Sequence, residues 1–589
     1  MKPIFLFIAL FFVLHVNGQI LSYTNYRTSA QVDAAINTLH STYPTLTSIV
    51  NLGNSIEGRP IKALRISSSS ANDPGKGDVV FTALIHAREW ISGETVLYLA
   101  DKMLQQRATD AVLRANMDRL QIWIIPVLNP DGFLYTQTTD RYWRKNRRNN
   151  GDGTFGVDLN RNWGYQWGLS SGSSASTSSD IYHGTGPFSE AETIRMRDFL
   201  SSLTNLKSLV SYHSYSEFYL RPWSYTTSDP PGEQTLHSIV LRNISRIQAV
   251  HGHVYTETIG YTSSGETTDY LWNEYRAASF TPELRPSAAT TGGVAGFSPA
   301  ATEILPCAQE NYPAALALIN DAALPRVYIR DNNSDAGAEP SAGYHWESPD
   351  IWTVPATLNQ NAVVTLHVRV QNNTGATINN VNVEAFFTDP RITLEFPSLT
   401  ATSIGNTTVN VPNGGRDVTF SWRTPTGTNS WGELHWCVGA VVKQDSDMPL
   451  TTVVARSSNI ACHNFNTTTI VESGIINVAA TNFLSVAAEL QINFNQNELP
   501  ADWRFELPEI SEIQASLQST PGTIRKSKLL KTKGILLEPG QTIKIPIKVH
   551  YTQVPASDVL VRIKGDLLPI VSGKRTAVGN GYTYQVKAK

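Results

Sequence analysis

The chain has 589 residues, length enough for roughly three or four domains and a large apolar core without disulfide or metal staples. Hydrophobic residues make up 41%, which excludes a mainly disordered chain. Lys and Arg number 47 against 50 Asp and Glu, a net charge of −3, and this lacks the strong basic balance of a nucleic-acid or anionic-membrane binder.

The N-terminus opens with Met1-Lys2-Pro3, an apolar run over 4–14, and small residues Val16 and Gly18. That pattern predicts a secretory signal peptide over 1–18 and an extracellular protein; the apolar run is too short to span a bilayer. No later run reaches transmembrane length. Residues 79–85 and 120–127 read as buried strands, and 93–106 as a helix between them. Asn129-Pro130-Asp131-Gly132 after the second strand is a turn signal. Segments 206–212 and 277–280 read as further strands, 236–250 and 308–322 as helices. Strands alternating with helices predict an α/β domain over 19–324 with a mixed, largely parallel sheet flanked by helices. The Ser- and Gly-rich stretch 169–179 is expected to be a mobile surface loop.

From about Pro325 the period becomes two, as in Val364, Leu366, Val368 and Val370. Two all-β, Ig-like sandwiches are expected over 325–462 and 463–589. Ile543, Ile545, Ile547 and Val549 alternate there, and Pro546 among them predicts an edge strand. Of three cysteines, Cys307 reads as a buried free thiol, and Cys437 and Cys462 are close enough in sequence to pair. Asn-x-Ser/Thr sequons occur, for example at Asn243 and Asn406.

The chemistry concentrates at predicted strand ends. His86-Ala87-Arg88-Glu89 follows the first strand, His213 follows the 206–212 strand, and Glu283 follows the 277–280 strand. Ligands of open α/β sheets gather at the carboxyl ends of strands. Two histidines and a carboxylate with an open fourth position make a catalytic zinc arrangement. A further carboxylate and several arginines nearby suit an anionic substrate attacked by water.

The stretches His86-Ala87-Arg88-Glu89-Trp90, Asn129-Pro130-Asp131-Gly132, Trp143-Arg144-Lys145, Asp158-Leu159-Asn160-Arg161-Asn162-Trp163, Tyr182-His183-Gly184, His213-Ser214-Tyr215-Ser216 and Phe280-Thr281-Pro282-Glu283-Leu284-Arg285 occur in one order over 23–324. In them the chain resembles the secreted zinc metallocarboxypeptidases of the carboxypeptidase A/B (funnelin) family. The resemblance implies one zinc ion held by His86, Glu89 and His213, with Glu283 as general base and Arg144 steadying the tetrahedral oxyanion. It implies that Asn160 and Arg161 bind the substrate's terminal carboxylate, that Tyr261 closes over the C-terminal residue, and that Arg88 meets the next residue inward. The implied partners are peptides or proteins with a free C-terminal carboxylate.

Thr268 falls where the family's specificity pocket has its base, and Glu266 lies two positions earlier. Thr268 is neither the aliphatic residue that accompanies apolar preference nor the Asp that accompanies Lys or Arg preference. Glu266 is expected to reach the pocket and pair with a cationic side chain, which predicts mixed apolar and basic specificity. Many relatives carry an inhibitory N-terminal domain; here the catalytic pattern starts near Tyr23, and no such domain is expected. The C-terminal β modules are expected to stabilise or space the enzyme, or to contact a surface or polymer. Competing readings are a cell-wall peptide or amide hydrolase on the same zinc site, and an adhesion or binding protein.

Overall fold

The computed structural model describes residues 20–466 except 70, 74, 170–171, 231–232, 259–261, 289–290, 324–325, 336, 338–344, 357, 390–395, 397–400, 428–434, 446, 452–453, 455–456 and 458, and beyond them 475–482, 487–494, 504–506, 535–538, 541–550, 559–569 and 578–586. The predicted signal peptide over 1–18 lies outside the described residues.

The N-terminal half runs α1 (Ser29–Thr42), β1 (Thr47–Asn54), β2 (Pro60–Ile66), β3 (Gly77–Ala83), α2 (Trp90–Gln106), α3 (Ala111–Arg119), β4 (Leu120–Ile125), α4 (Pro130–Thr138), α5 (Ala191–Ser202), β5 (Leu206–Ser214), β6 (Phe218–Leu220), α6 (Glu233–His251), β7 (Thr256–Glu257), α7 (Thr267–Tyr275), β8 (Ala278–Leu284) and α8 (Ile304–Ala322). The strands form one mixed sheet, ordered β1-β2-β4-β3-β5-β8-β6-β7. Its centre is parallel: β3 pairs with β4 and β5, and β5 with β8. Every residue of β3 and β4 is buried, as befits strands covered on both faces. One apolar cluster joins the sheet to α1, α2, α6 and α8, and another joins it to α5 and α7.

The element ends differ from the sequence reading in ways that matter for the site. β3 stops at Ala83 because Leu84 takes a left-handed conformation, φ 49°, which breaks the ladder. The strain is held by Ser92 Oγ, which accepts from the Leu84 N–H at 3.3 Å, and by the Asn129 N–H, which donates to the Leu84 carbonyl at 3.0 Å. β5 and β8 run further than expected, so His213 and Glu283 lie within the strands rather than beyond them. The Asn-Pro-Asp-Gly signal is a helix start: Asn129 caps α4 by accepting from the Gly132 N–H, and Pro130 occupies the first turn.

The chain continues with β9 (Val327–Tyr328), β10 (Ile351–Val354), β11 (Val363–Asn372), β12 (Ile378–Thr388), β13 (Thr402–Val411), β14 (Arg416–Arg423), β15 (His435–Lys443) and β16 (Ile460–Asn466). Sheets β10-β11-β14 and β13-β12-β15-β16 are antiparallel. They close over one core, with Val364, Leu366 and Trp422 from the first sheet and Val381, Val383 and Ala440 from the second. Two more antiparallel sheets follow in the described parts of 475–586. Thr542–His550, expected at an edge because of Pro546, is instead the middle strand of its sheet. One neighbour, Arg504–Glu506, pairs only with 548–550, so Pro546 lies beyond the end of that ladder and is paired with Asn477 alone in the two ladders of this strand.

Cys307, Cys437 and Cys462 are all buried; the Cys437 thiol sits in hydrogen-bonding contact with Cys462, whose Sγ also donates to the His345 carbonyl at 3.3 Å. The Asn243 sequon is closed to a glycan: its side chain is fully buried in α6 and donates to the Tyr219 hydroxyl at 2.9 Å. Among the described residues, no helix is long and apolar enough to cross a membrane.

Candidate active site

Backbone contacts bring the predicted residues to one end of the sheet. The Asn129 amide donates to the carbonyls of Ile85 and Lys145, at 3.2 and 3.1 Å, and the Ala87 N–H donates to the Arg144 carbonyl at 3.0 Å. The segments carrying His86 and Arg144 are therefore clamped together. On the neighbouring strands, β5 and β8 lie in a register that sets His213 directly opposite Glu283.

His86 Nδ1 lies 2.9 Å from Glu89 Oε1 and 3.0 Å from His213 Nδ1, and His213 Nδ1 lies 3.1 Å from Glu89 Oε2. All three side chains are buried, and they offer converging ligand atoms. Two ligands about 2.0–2.1 Å from one tetrahedral zinc stand roughly 3.3 Å apart, so the donor set and its spacing fit zinc. Burial would raise the Glu89 carboxyl, but His86 and His213 beside it hold it below its ordinary range.

Asp158 organises this group. Its Oδ1 sits 3.1 Å from His86 Nε2 and accepts from the Asn160 N–H at 2.9 Å; its Oδ2 accepts from Arg144 Nε and Nη2 at 3.1 and 2.9 Å. Burial opposes ionisation of Asp158, yet Arg144, His86 and Arg161 keep its carboxyl well below the usual range. A carboxylate on the outer nitrogen of a metal-ligating histidine fixes ring orientation and raises ligand basicity.

A cavity of about 230 Å³ opens beside this group, lined by Glu89, Arg144, Glu283, Ser263, Glu266 and Trp223 among others. Burial, with Glu89 and Glu266 near, pushes the Glu283 carboxyl up to about 8 against the pull of His213 and Arg144.

A family model described as zinc carboxypeptidase matches residues 32–314. Carboxypeptidase A1 of Rattus norvegicus is 33% identical over 305 residues, which are 51% of this chain and 70% of that protein. Carboxypeptidase B of Astacus astacus is 34% identical over 310 residues, 51% of this chain and 98% of that protein. The solved structure of the carboxypeptidase A from Helicoverpa armigera aligns at 32% identity over 51% of this chain and 74% of that one, with a TM-score of 0.46. The chain belongs to the zinc carboxypeptidase family. It is thus a zinc metallocarboxypeptidase, a metallo-exopeptidase that removes C-terminal residues.

Within this zinc carboxypeptidase the pocket residues sit differently from the sequence expectation. Glu266 reaches the cavity wall, but its Oε1 already accepts from Arg161 Nη1 at 3.1 Å and from the Ser263 hydroxyl. Gly265 permits this approach: its φ is +71°, and a Cβ there would stand 2.4 Å from the Arg161 carbonyl oxygen. Arg161 is buried and also donates to the carbonyls of Asn160 and Gly172, at 2.9 and 2.5 Å. The second contact ties down the Ser-rich loop expected to be mobile, as do Lys145 Nζ bonds to the Thr177 and Ser179 carbonyls, both 2.9 Å. Asn160 Oδ1 accepts from the Thr267 N–H and hydroxyl, at 3.1 and 2.8 Å.

Thr268, in the first turn of α7, is buried and does not contribute to the cavity wall. Arg88 does not line the cavity but packs on Phe297, which does, its guanidinium carbon 4.1 Å from the centre of that ring. Tyr261 lies outside the described residues.

Sequence reasoning gave Asp158, Ser263 and Trp223 no role. The only signal for Asp158 was an acid two residues before Asn160; its contact with His86 spans 72 residues and is invisible to spacing.

Proposed function

We propose that the chain is a secreted exopeptidase with a signal peptide over 1–18, a catalytic domain over 19–324 and β modules over 325–462 and 463–589, and that it accepts both bulky apolar and basic C-terminal residues. The observation that carries the catalytic part is the convergence of His86, Glu89 and His213 with Glu283 set opposite His213 in strand register.

His86, Glu89 and His213 hold the metal. Zinc, when bound, supplies Lewis-acid polarisation of the scissile carbonyl and activation of water. Glu283, set opposite His213 at the cavity wall, takes the water's proton and returns it to the departing amine. Arg144, aimed by Asp158, donates to the oxyanion. Asn160 and Arg161 are buried and do not themselves line the cavity, but Arg161 bonds to the wall residue Glu266; the pair is assigned the substrate's terminal carboxylate, with the Asn160 amide oxygen held by Thr267. Arg88 meets the residue further inward, and Tyr261 has the role that the resemblance gives it, closure over the substrate's C-terminal residue.

Specificity follows from the wall. Phe218, Leu220 and Trp223 supply apolar surface for bulky side chains, and Glu266 supplies an acceptor for a cation. Glu266 rather than Thr268 carries the basic part of the preference. Initial rates on peptides ending in Phe, Leu, Arg and Asp, before and after chelation, test the whole reading. The expected result is zinc-dependent release of Phe, Leu and Arg and very little of Asp; a preference for Asp, or release indifferent to chelation, overturns it.

A further inference from the structure

The turn between β15 and β16 leaves its own module and enters the catalytic domain. Met448 and Leu450 are 6% and 5% exposed and belong to the apolar cluster that contains Val210, Phe280, Ile304 and Leu318. Their backbones are bonded at the point of entry. The Met448 N–H donates to Asp321 Oδ1 of α8 at 3.1 Å, and the Leu450 carbonyl accepts from the Ala278 N–H at 2.9 Å. Ala278 is the first residue of β8, the strand that carries Glu283.

A buried ion pair braces the entry. Arg242 of α6 forks onto both oxygens of Asp321, at 2.8 and 2.7 Å, and gives a further bond to the Asp445 carbonyl at 3.0 Å. The other side of the turn is fastened to its own module. Asp447 accepts from the N–H groups of Arg326 and Val327 at 2.5 and 2.7 Å, and from the Asn459 amide at 3.3 Å. Asn459 also donates to the Val327 carbonyl at 2.9 Å, which locks the start of β9 beside it.

One short turn is therefore bonded to α6, α8 and β8 on one side and to β9 on the other. Withdrawing it would bare the apolar seat of Met448 and Leu450, leave the Ala278 N–H without its acceptor, and open the Arg242–Asp321 pair to rearrangement. A flexibly tethered spacer presents no such seat, since inter-domain contacts of that kind are small and polar. The relative from Astacus astacus is covered over 98% of its length by 51% of this chain, so the module lies outside what the two share.

We propose that this turn is a plug that completes the floor of the catalytic domain beneath the base-bearing strand, so that the peptidase domain and the first β module fold and unfold as one cooperative unit. Hydrogen exchange on the full chain through a urea series decides it. Peptides covering β3, β5 and β8 are expected to lose protection at the same urea concentration as peptides covering β11, β12 and β14. Loss of module protection while the catalytic strands stay protected would overturn the proposal.

Substitution gives a second reading. Leu450→Ala is expected to lower the catalytic domain's melting midpoint by roughly 4–10 °C, although the residue lies far outside the family match. Arg246→Ala, which removes the solvent-facing pair with Asp445 and a minor charge interaction with Asp321 but no apolar seat, is expected to shift it by about 2 °C or less. Equal and negligible shifts in both variants would also overturn the plug. If Leu450→Ala fails to fold at all, the exchange series on the unaltered chain still decides the question.

Discussion

Asp158→Asn is the most informative single substitution because one side chain aims two others. The carboxylate stands 3.1 Å from His86 Nε2 and receives two Arg144 donors at 3.1 and 2.9 Å, all within the buried interior of the site. Asparagine keeps the size but lacks the charge, and it must turn an NH₂ toward either the Arg144 donors or the His86 side. Loss of the carboxylate behind a metal-ligating histidine costs about 10–100-fold in metal affinity, or about 1.4–2.7 kcal/mol. Misaiming an oxyanion donor costs about 10²–10³-fold in kcat. The two losses separate experimentally. Competition with a chromophoric chelator gives the zinc Kd, and kcat at saturating zinc then reports Arg144 alone. The expected pattern is weaker zinc binding, a kcat that excess zinc does not restore, and a nearly unchanged KM. Wild-type zinc affinity with wild-type kcat would refute the claim that Asp158 organises the site.

Three further outcomes are expected. Glu283→Gln removes the proton carrier but no ligand, so zinc content should stay near one per chain while kcat falls by about 10²–10⁴-fold; a fall below tenfold would remove Glu283 from that role. Glu266→Gln should reduce kcat/KM for peptides ending in Arg or Lys by about tenfold or more relative to those ending in Phe, and equal losses on both classes would assign Glu266 to holding Arg161 rather than to selecting the side chain. Glu192 is buried, and burial with Asp131 nearby raises its carboxyl from 4.5 to about 7. Because the folded state holds that proton more tightly than the unfolded chain, its contribution to stability is complete below pH 4.5 and is lost as pH rises through about 7. Denaturant midpoints across that window should fall less steeply with pH in Glu192→Gln than in the unaltered chain, and identical slopes would contradict the assignment.

Much of the site was legible because its chemistry is written in contiguous runs. His86 and Glu89 are three residues apart, Asn160 and Arg161 adjacent, and His213 and Glu283 mark the far ends of apolar strands. The strand and helix alternation behind them follows from unbroken apolar runs, which only a sheet covered on both faces accommodates. The ends of those elements were less legible. β3 stops early because Leu84 is held in a strained conformation by Ser92 and Asn129, partners that a strand pattern does not contain. Asn-Pro-Asp-Gly reads equally as a turn or as a capped helix start, since the same residues satisfy both.

By itself the sequence offered His86, Glu89 and His213 as candidate metal ligands and Glu283 as candidate base, and it showed the change from α/β to all-β architecture, because these rest on residue type, on ordered motifs and on periodicities of two or 3.6. Only the tertiary structure decided what those groups face. Arg161 meets Glu266 across 105 residues, Asp158 meets His86 across 72, and Asp321 meets Met448 across 127. The physical reason is that such pairings are set by sheet order and packing: a carboxylate in this chain holds an arginine, braces a histidine or seats another segment according to which cation or N–H the fold carries to it.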